Sequence, residues 1–108
     1  MNAWRIAFLV VALLGSTGTA HSQQQPLTEK EVRVFCAAAN ALLAVKMEPG
    51  ILTDRVTAES RRHADAARQF GATETDLQQV MRAMATSYNE KRLSWDQIVD
   101  MGRDCADL

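Results

Sequence analysis

Three segments of the sequence carry the same helix-start signal, a Thr or Ser followed three positions later by an acidic or amide side chain. They are Thr28–Glu31, Thr73–Asp76 and Ser94–Gln97. In such a capping box each side chain binds the backbone N–H of the other residue. No run of alternating apolar and polar residues indicates a β-strand. The sequence therefore predicts an all-α fold, a small four-helix up-down bundle.

Capping residues, prolines and glycines predict the bounds of the four helices. Helix one is expected from the N-cap Thr28 to about Met47, and Pro49 and Gly50 then form a turn. Helix two is expected to start at Thr53 and to end at residue 69 or 70, before a left-handed glycine at position 71. Helices three and four follow residues 73 and 94.

Each helix carries apolar residues at spacings of three and four. The stripe of helix one is Val32, Phe35, Cys36, Ala39, Leu43 and Met47, and that of helix two is Leu52, Val56, Ala64, Ala67 and Phe70. The stripe of helix three is Leu77, Val80, Met81, Met84 and Tyr88, and that of helix four is Trp95, Ile98, Val99, Gly102 and Cys105. Residues 34–45 contain one polar side chain, Asn40, so we expect helix one to be covered on more than one side.

The first 22 residues have the pattern of a secretory signal peptide. Arg5 precedes an apolar run over residues 6–14, and small residues follow it up to Ala20 and Ser22, near either of which cleavage is expected. This run is about half the length that a bilayer-spanning helix needs, so no stable membrane anchor is expected. We expect a periplasmic or secreted protein, with residues 23–27 as a short extension and residues 28–108 as a single helical domain.

The two cysteines, Cys36 and Cys105, are expected to form a disulfide. An even number of cysteines in an oxidising compartment favours a structural bond over a reactive dithiol. Antiparallel packing of helices one and four would bring the two residues together, and Gly102 would let the backbones approach. The bond would close a loop of about 70 residues.

His63 is the most distinctive titratable residue. Helix two pairs opposite charges at spacings of three and four, with Glu59 and His63 among them, which is typical of a solvated surface. The alternative is that His63 is an axial or copper ligand opposite a methionine, with Met81 and Met84 as candidates beside Met47 and Met101. Core packing is the simpler role for those methionines.

Helix four carries an acidic row, formed by Asp96, Asp100, Asp104 and Asp107. The row is either a solvated face or a docking surface for a basic partner. The last two residues are placed at a helix C-terminus, where negative charge opposes the macrodipole.

Composition and motifs exclude several classes of function. The 108 residues have a formal net charge of −1, which gives no electrostatic basis for binding nucleic acid. No Gly-x-Ser-x-Gly motif accompanies the two histidines, so no hydrolytic triad is recognisable and we expect no enzyme activity and no cofactor. A homodimer is conceivable because helix one has more apolar surface than three short helices are expected to cover.

In general shape, a short exported helical chain with one disulfide, the protein resembles the small acid-stress chaperones of the bacterial periplasm. Its cysteine spacing and segment order differ from theirs, so the resemblance implies only a functional class and no site residues. The sequence therefore favours a non-enzymatic protein-interaction module, an inhibitor, immunity protein or stress chaperone. Its contact surface would be helix four or the exposed ends of the bundle. The alternative is a carrier of a small ligand, metal or haem near His63.

Overall fold

The computed structural model describes residues 26–108, and the expected signal peptide lies outside them. This part of the chain contains four α-helices and, within residues 26–108, no strand. They are α1 (Glu29–Lys46), α2 (Ile51–Gln69), α3 (Glu74–Asn89) and α4 (Trp95–Cys105). The predicted all-helical class and the number of helices are confirmed; the up-down order of the bundle stays a prediction.

All three predicted capping boxes are present, with both reciprocal hydrogen bonds, at the starts of α1, α3 and α4. The start of α2 was predicted two residues too late. This helix begins at Ile51, behind Gly50, and the Thr53 hydroxyl donates to the Glu48 carbonyl instead of capping a helix. Helix α2 has no side-chain cap, so local hydrogen bonding gave no signal for its first residue.

Helices α2 and α3 end in the same left-handed turn. Gly71 follows α2 with φ 99°, as predicted, and Lys91 follows α3 with φ 63°. In both turns the N–H of the left-handed residue and the N–H of the residue after it donate to carbonyls of the last helical turn, which is the Schellman arrangement. The turn after α3 therefore holds a non-glycine residue in a conformation that favours glycine.

Helix α1 lies at the centre of the bundle and packs against each of the other three helices. Its buried residues are Val32, Val34, Phe35, Cys36, Ala37, Ala38, Ala39, Asn40 and Leu43. One side packs with Met84, Leu93, Ile98 and Met101, and the other with Ala67, Ala72 and Leu77. The expectation that helix one is covered on more than one side is confirmed. Residues 34–40 are buried within the chain, whereas Val45 of the same apolar run is 76% exposed, and the homodimer stays a prediction.

The disulfide joins the first half of α1 to the last residue of α4. Cys36 and Cys105 are 0% and 1% exposed, and their Cα atoms are 5.7 Å apart. Gly102 lies one turn before Cys105, and a Cβ at that position would come within 2.8 Å of Leu43 Cδ1. The space beside Gly102 is therefore filled by the Leu43 side chain, whereas the sequence-based expectation was a close approach of the two backbones.

Candidate functional site

The most unusual surface of the described chain is an apolar turn between α1 and α2, formed by Val45, Ile51 and Leu52. These side chains are 76%, 75% and 64% exposed. They flank residues 47–50, the short connection that joins the two helices. Burying an aliphatic side chain of this size fully is worth about 1.5–3 kcal/mol. Three such side chains beside one turn therefore leave a substantial binding free energy unused in the isolated chain.

The charges around the apolar turn are balanced. Lys46 and Arg55 lie beside it in sequence, as do Glu48 and Asp54, and all four residues are exposed. The Lys46 ammonium lies 5.4 Å from the centre of the Tyr88 ring, which is a cation–π distance. Neither sign of charge therefore dominates around the turn.

Sequence reasoning placed Leu52 and Phe70 on the apolar stripe of helix two, but both are exposed. Phe70 is 51% exposed at the C-terminal end of α2, and Leu52 is at the opposite end of the same helix. Helix α2 packs against α1, and its two buried residues, His63 and Ala67, lie in its C-terminal half. A periodic stripe predicts which face is apolar, but not how far along the helix the partner extends.

The four aspartates of the acidic row differ in their exposure to solvent. Asp96 and Asp107 are exposed, whereas Asp100 and Asp104 are partly buried. The Asp100 carboxylate accepts a hydrogen bond from Arg103 Nη1 at 3.2 Å. Arg103 lies in the last turn of α4, where a cation interacts favourably with the helix dipole. This neighbouring arginine offsets part of the negative charge that the row would offer to a basic partner.

His63, whose burial the sequence left open, is fully buried at 0% exposure and does not lie on the solvated face that its spacing from Glu59 indicated. Arg33 Nη1 lies 3.1 Å from His63 Nδ1, and Arg62 Nη2 lies 3.3 Å from Nε2. Glu59 Oε1 is 3.5 Å from the same Nε2. The ring of α2 therefore contacts charged side chains of both α1 and α2.

Burial lowers the pKa of His63, and the nearby Arg62 and Arg33 charges lower it further. A guanidinium can only donate hydrogen bonds, and each ring nitrogen lies near one, at 3.1 Å from Arg33 Nη1 and at 3.3 Å from Arg62 Nη2. A doubly protonated ring would turn an N–H toward a cation on both sides, so these contacts favour the neutral ring. The arrangement makes His63 a buried structural residue of the neutral state.

The pattern of small residues on α2 contained a signal for this burial. Ser60 and Ala67 lie three positions before and four positions after His63, on the same side of the helix. The Ser60 hydroxyl donates to the Ala37 carbonyl of α1 at 2.9 Å, and Ala67 is fully buried. The charge pattern of α2 grouped His63 with Glu59 on a solvated surface, and Ser60 was not considered, so the face that contacts α1 was overlooked.

The methionines proposed as ligands do not share one environment. Met84 is fully buried in the apolar core, whereas Met81 is 42% exposed, so its predicted burial was wrong. Residues 26–108 contain no group of three or more His, Cys, Asp or Glu side chains placed to hold a metal ion. The ring nitrogens of His63 already face Arg33 and Arg62. These contacts do not favour the carrier hypothesis.

Asn40, whose place the sequence left open, is buried at 4% exposure. Its side-chain amide donates to the Cys36 carbonyl at 2.9 Å, one turn earlier in α1. A buried amide needs such a partner, because an unpaired polar group in the core is costly. Asn40 therefore belongs to the packing around the disulfide.

Among the helices of residues 26–108, none is both long enough and apolar enough to span a bilayer. Comparisons with family models, with curated proteins and with solved structures found no match for this chain.

Proposed function

We propose that this protein is an exported, non-enzymatic interaction module that binds an apolar segment of another polypeptide through the apolar turn. The observation that carries the proposal is the exposure of Val45, Ile51 and Leu52 in a chain whose central helix is otherwise covered. Three aliphatic side chains are far fewer than the roughly 20–30 residues on each side of a standard interface. The turn therefore suits a short segment of a partner better than a second copy of the chain.

Export is part of the same proposal. The basic, apolar and small-residue order of residues 1–22 supports secretion, and a buried disulfide suits an oxidising compartment. The intact mass of the protein recovered from the exported fraction tests it. A chain that begins near residue 21 or 23 and is two hydrogens lighter than its reduced form is expected. An uncleaved chain with free thiols would contradict export.

The binding test is a titration of the full chain against a labelled Leu- and Val-rich peptide, followed by fluorescence anisotropy. A peptide with Ser at every Leu and Val position gives the background. Replacement of Ile51 and Leu52 by Ser should weaken binding at least about tenfold, since about 1.4 kcal/mol of lost apolar contact is enough. Substitutions at exposed sites usually change stability by no more than about 0.5 kcal/mol, so the variant should remain folded.

Phe70→Ser is the matched control, because Phe70 is an exposed apolar residue at the other end of α2. This variant should bind the peptide as the parent does. Equal losses in Phe70→Ser and in the double variant would show non-specific adsorption. Unchanged binding in the double variant would refute the apolar turn as the contact surface.

The acidic row is tested in the same assay with a Lys-rich peptide. Asp96→Lys combined with Asp107→Lys reverses the two exposed charges and leaves the partly buried aspartates in place. We expect this variant to keep its affinity for the apolar peptide. If it loses binding to that peptide, or if the parent prefers the Lys-rich peptide, α4 is the contact surface instead.

A further inference from the structure

An open surface groove of about 370 Å³ lies along the second half of α3. It is lined by Gln79, Arg82, Ala83, Thr86, Ser87 and Arg92. Two of these residues are arginines, three carry amide or hydroxyl groups, and none is acidic. The chemistry of the lining therefore suits an anion.

Arg82 supplies an uncommitted positive charge to the groove. It is exposed, and it forms no ion pair or hydrogen bond with any residue of the described chain. Several other arginines of the protein pair with a carboxylate, such as Arg68 with Glu74 at 2.7 Å. A guanidinium without such a partner keeps its five N–H donors available for a ligand.

Arg92 is held at the edge of the groove by the turn that follows α3. Its backbone N–H donates to the Ser87 carbonyl at 2.9 Å. Its Nε and Nη2 both donate to Glu90 Oε1, at 3.1 and 2.6 Å. No described residue accepts from its Nη1, so this donor is also available. Glu90 fixes the guanidinium in place and leaves part of its donor edge open.

Ser87 is the observation that points to a ligand. It is 1% exposed, and its Oγ has no hydrogen-bond partner among the described residues. A helical serine can bond the carbonyl four residues earlier, but this hydroxyl does not. Leaving a buried hydroxyl unpaired costs free energy, which an oxygen atom bound in the groove would recover once the hydroxyl turns toward it.

We propose that the groove binds a phosphate monoester, with Arg82 and Arg92 Nη1 pairing with its oxygens and the Ser87 hydroxyl donating to one of them. Guanidinium groups form strong charge-assisted hydrogen bonds with phosphate oxygens. Gln79 and Thr86 line the remainder of the groove, which has room for a small organic group attached to the phosphate. The groove includes none of the residues of the apolar turn, so the two proposals stand or fall separately.

The test is a heteronuclear NMR titration of the full chain with glycerol 3-phosphate and with inorganic phosphate. We expect saturable shifts of the amides around residues 79–92. Arg82→Gln should weaken binding about tenfold or more. Arg61→Gln is the matched control, because Arg61 is also exposed and without a described partner but lies on α2. This control should bind as the parent does.

Ser87→Ala gives a signature that a merely structural serine would not produce. The substitution should raise the thermal midpoint, because it removes an unpaired buried hydroxyl, and should weaken phosphate binding about fivefold. A higher midpoint with unchanged phosphate affinity would show that the hydroxyl does not contact the ligand and would overturn this assignment.

Two further results would overturn the site. One is the absence of saturable shifts with glycerol 3-phosphate and with inorganic phosphate at concentrations up to about 10 mM, because a dissociation constant above that value is too weak for a specific site. The other is equal weakening by Arg82→Gln and Arg61→Gln, which would indicate diffuse attraction to surface charge. Vesicles of phosphatidylglycerol and of phosphatidylcholine distinguish the source of the phosphate. Binding to the anionic vesicles alone, without binding of either soluble phosphate, would exclude a small-molecule site.

Discussion

Reduction of the disulfide between Cys36 and Cys105 should remove a large part of the stability of this protein. The bond spans 69 positions of sequence. For a loop of that length the chain-entropy model predicts that the bond lowers the entropy of the unfolded chain by about 15 cal/mol/K, which stabilises the folded state by about 4 kcal/mol at 25 °C. A domain of this length is expected to have a total stability of roughly 4–12 kcal/mol. We therefore expect the reduced chain to be marginally folded.

Equilibrium unfolding in urea, followed by far-ultraviolet circular dichroism, measures this difference. The side chains are the same in both samples, so the comparison isolates the covalent link. With a denaturant slope of about 1–2 kcal/mol/M, the loss of about 4 kcal/mol should lower the midpoint by about 2–4 M. Because both sulfur-bearing residues are buried, reduction is carried out in urea and the sample is refolded with reductant present.

The control is the double replacement Cys36→Ala and Cys105→Ala, which should unfold at the same urea concentration with and without reductant. A reduced parent whose midpoint lies within about 0.5 M of the oxidised one, at the same slope, would refute the reasoning. It would mean that the unfolded chain is already as restricted without the bond as with it.

Three further predictions concern stability. The pKa of His63 is lowered in the folded state, so the unfolded chain takes up a proton at this residue at higher pH than the folded chain does. The free energy of unfolding should therefore fall as the pH decreases below about 6.5. In urea titrations between pH 7 and 5, His63→Gln should abolish this part of the pH dependence. Gly102→Ala should destabilise the chain by about 1–2 kcal/mol, because the clash with Leu43 outweighs the helix propensity gained, and combination with Leu43→Ala should relieve the clash in a double-mutant cycle. Lys91→Gly should stabilise it by about 1 kcal/mol by relieving the left-handed backbone, and an unchanged thermal midpoint would contradict this.

Local chemistry made the helix starts readable from the sequence. At Thr28, Thr73 and Ser94 the capping side chain and its partner are three residues apart, so no distant contact is needed. At the start of α2 the local signal was missing, because Gly50 has no side chain to accept a hydrogen bond. The start of α2 was therefore predicted at Thr53, although the Thr53 hydroxyl donates to the Glu48 carbonyl and does not cap the helix.

The exposure of the candidate site residues was harder to predict from the sequence, because burial depends on how far each helix overlaps its neighbours. Ile51 and Leu52 are as apolar as core residues, but they are exposed in the first turn of α2. His63 and Ser87 are polar, but each lies where its helix meets the rest of the bundle. Periodicity identifies a face of a helix, and it contains no information on which part of that face is covered.

The sequence by itself determined the helical class, the starts of three helices and the presence of two cysteines that could be joined. These features follow from hydrogen bonds within one turn and from covalent identity. Only the tertiary structure decided that helix α1 is central, that His63 is buried between two arginines and that Ser87 is left without a partner. The physical reason is that burial and polar pairing belong to contacts between helices, and residues distant in sequence supply those contacts.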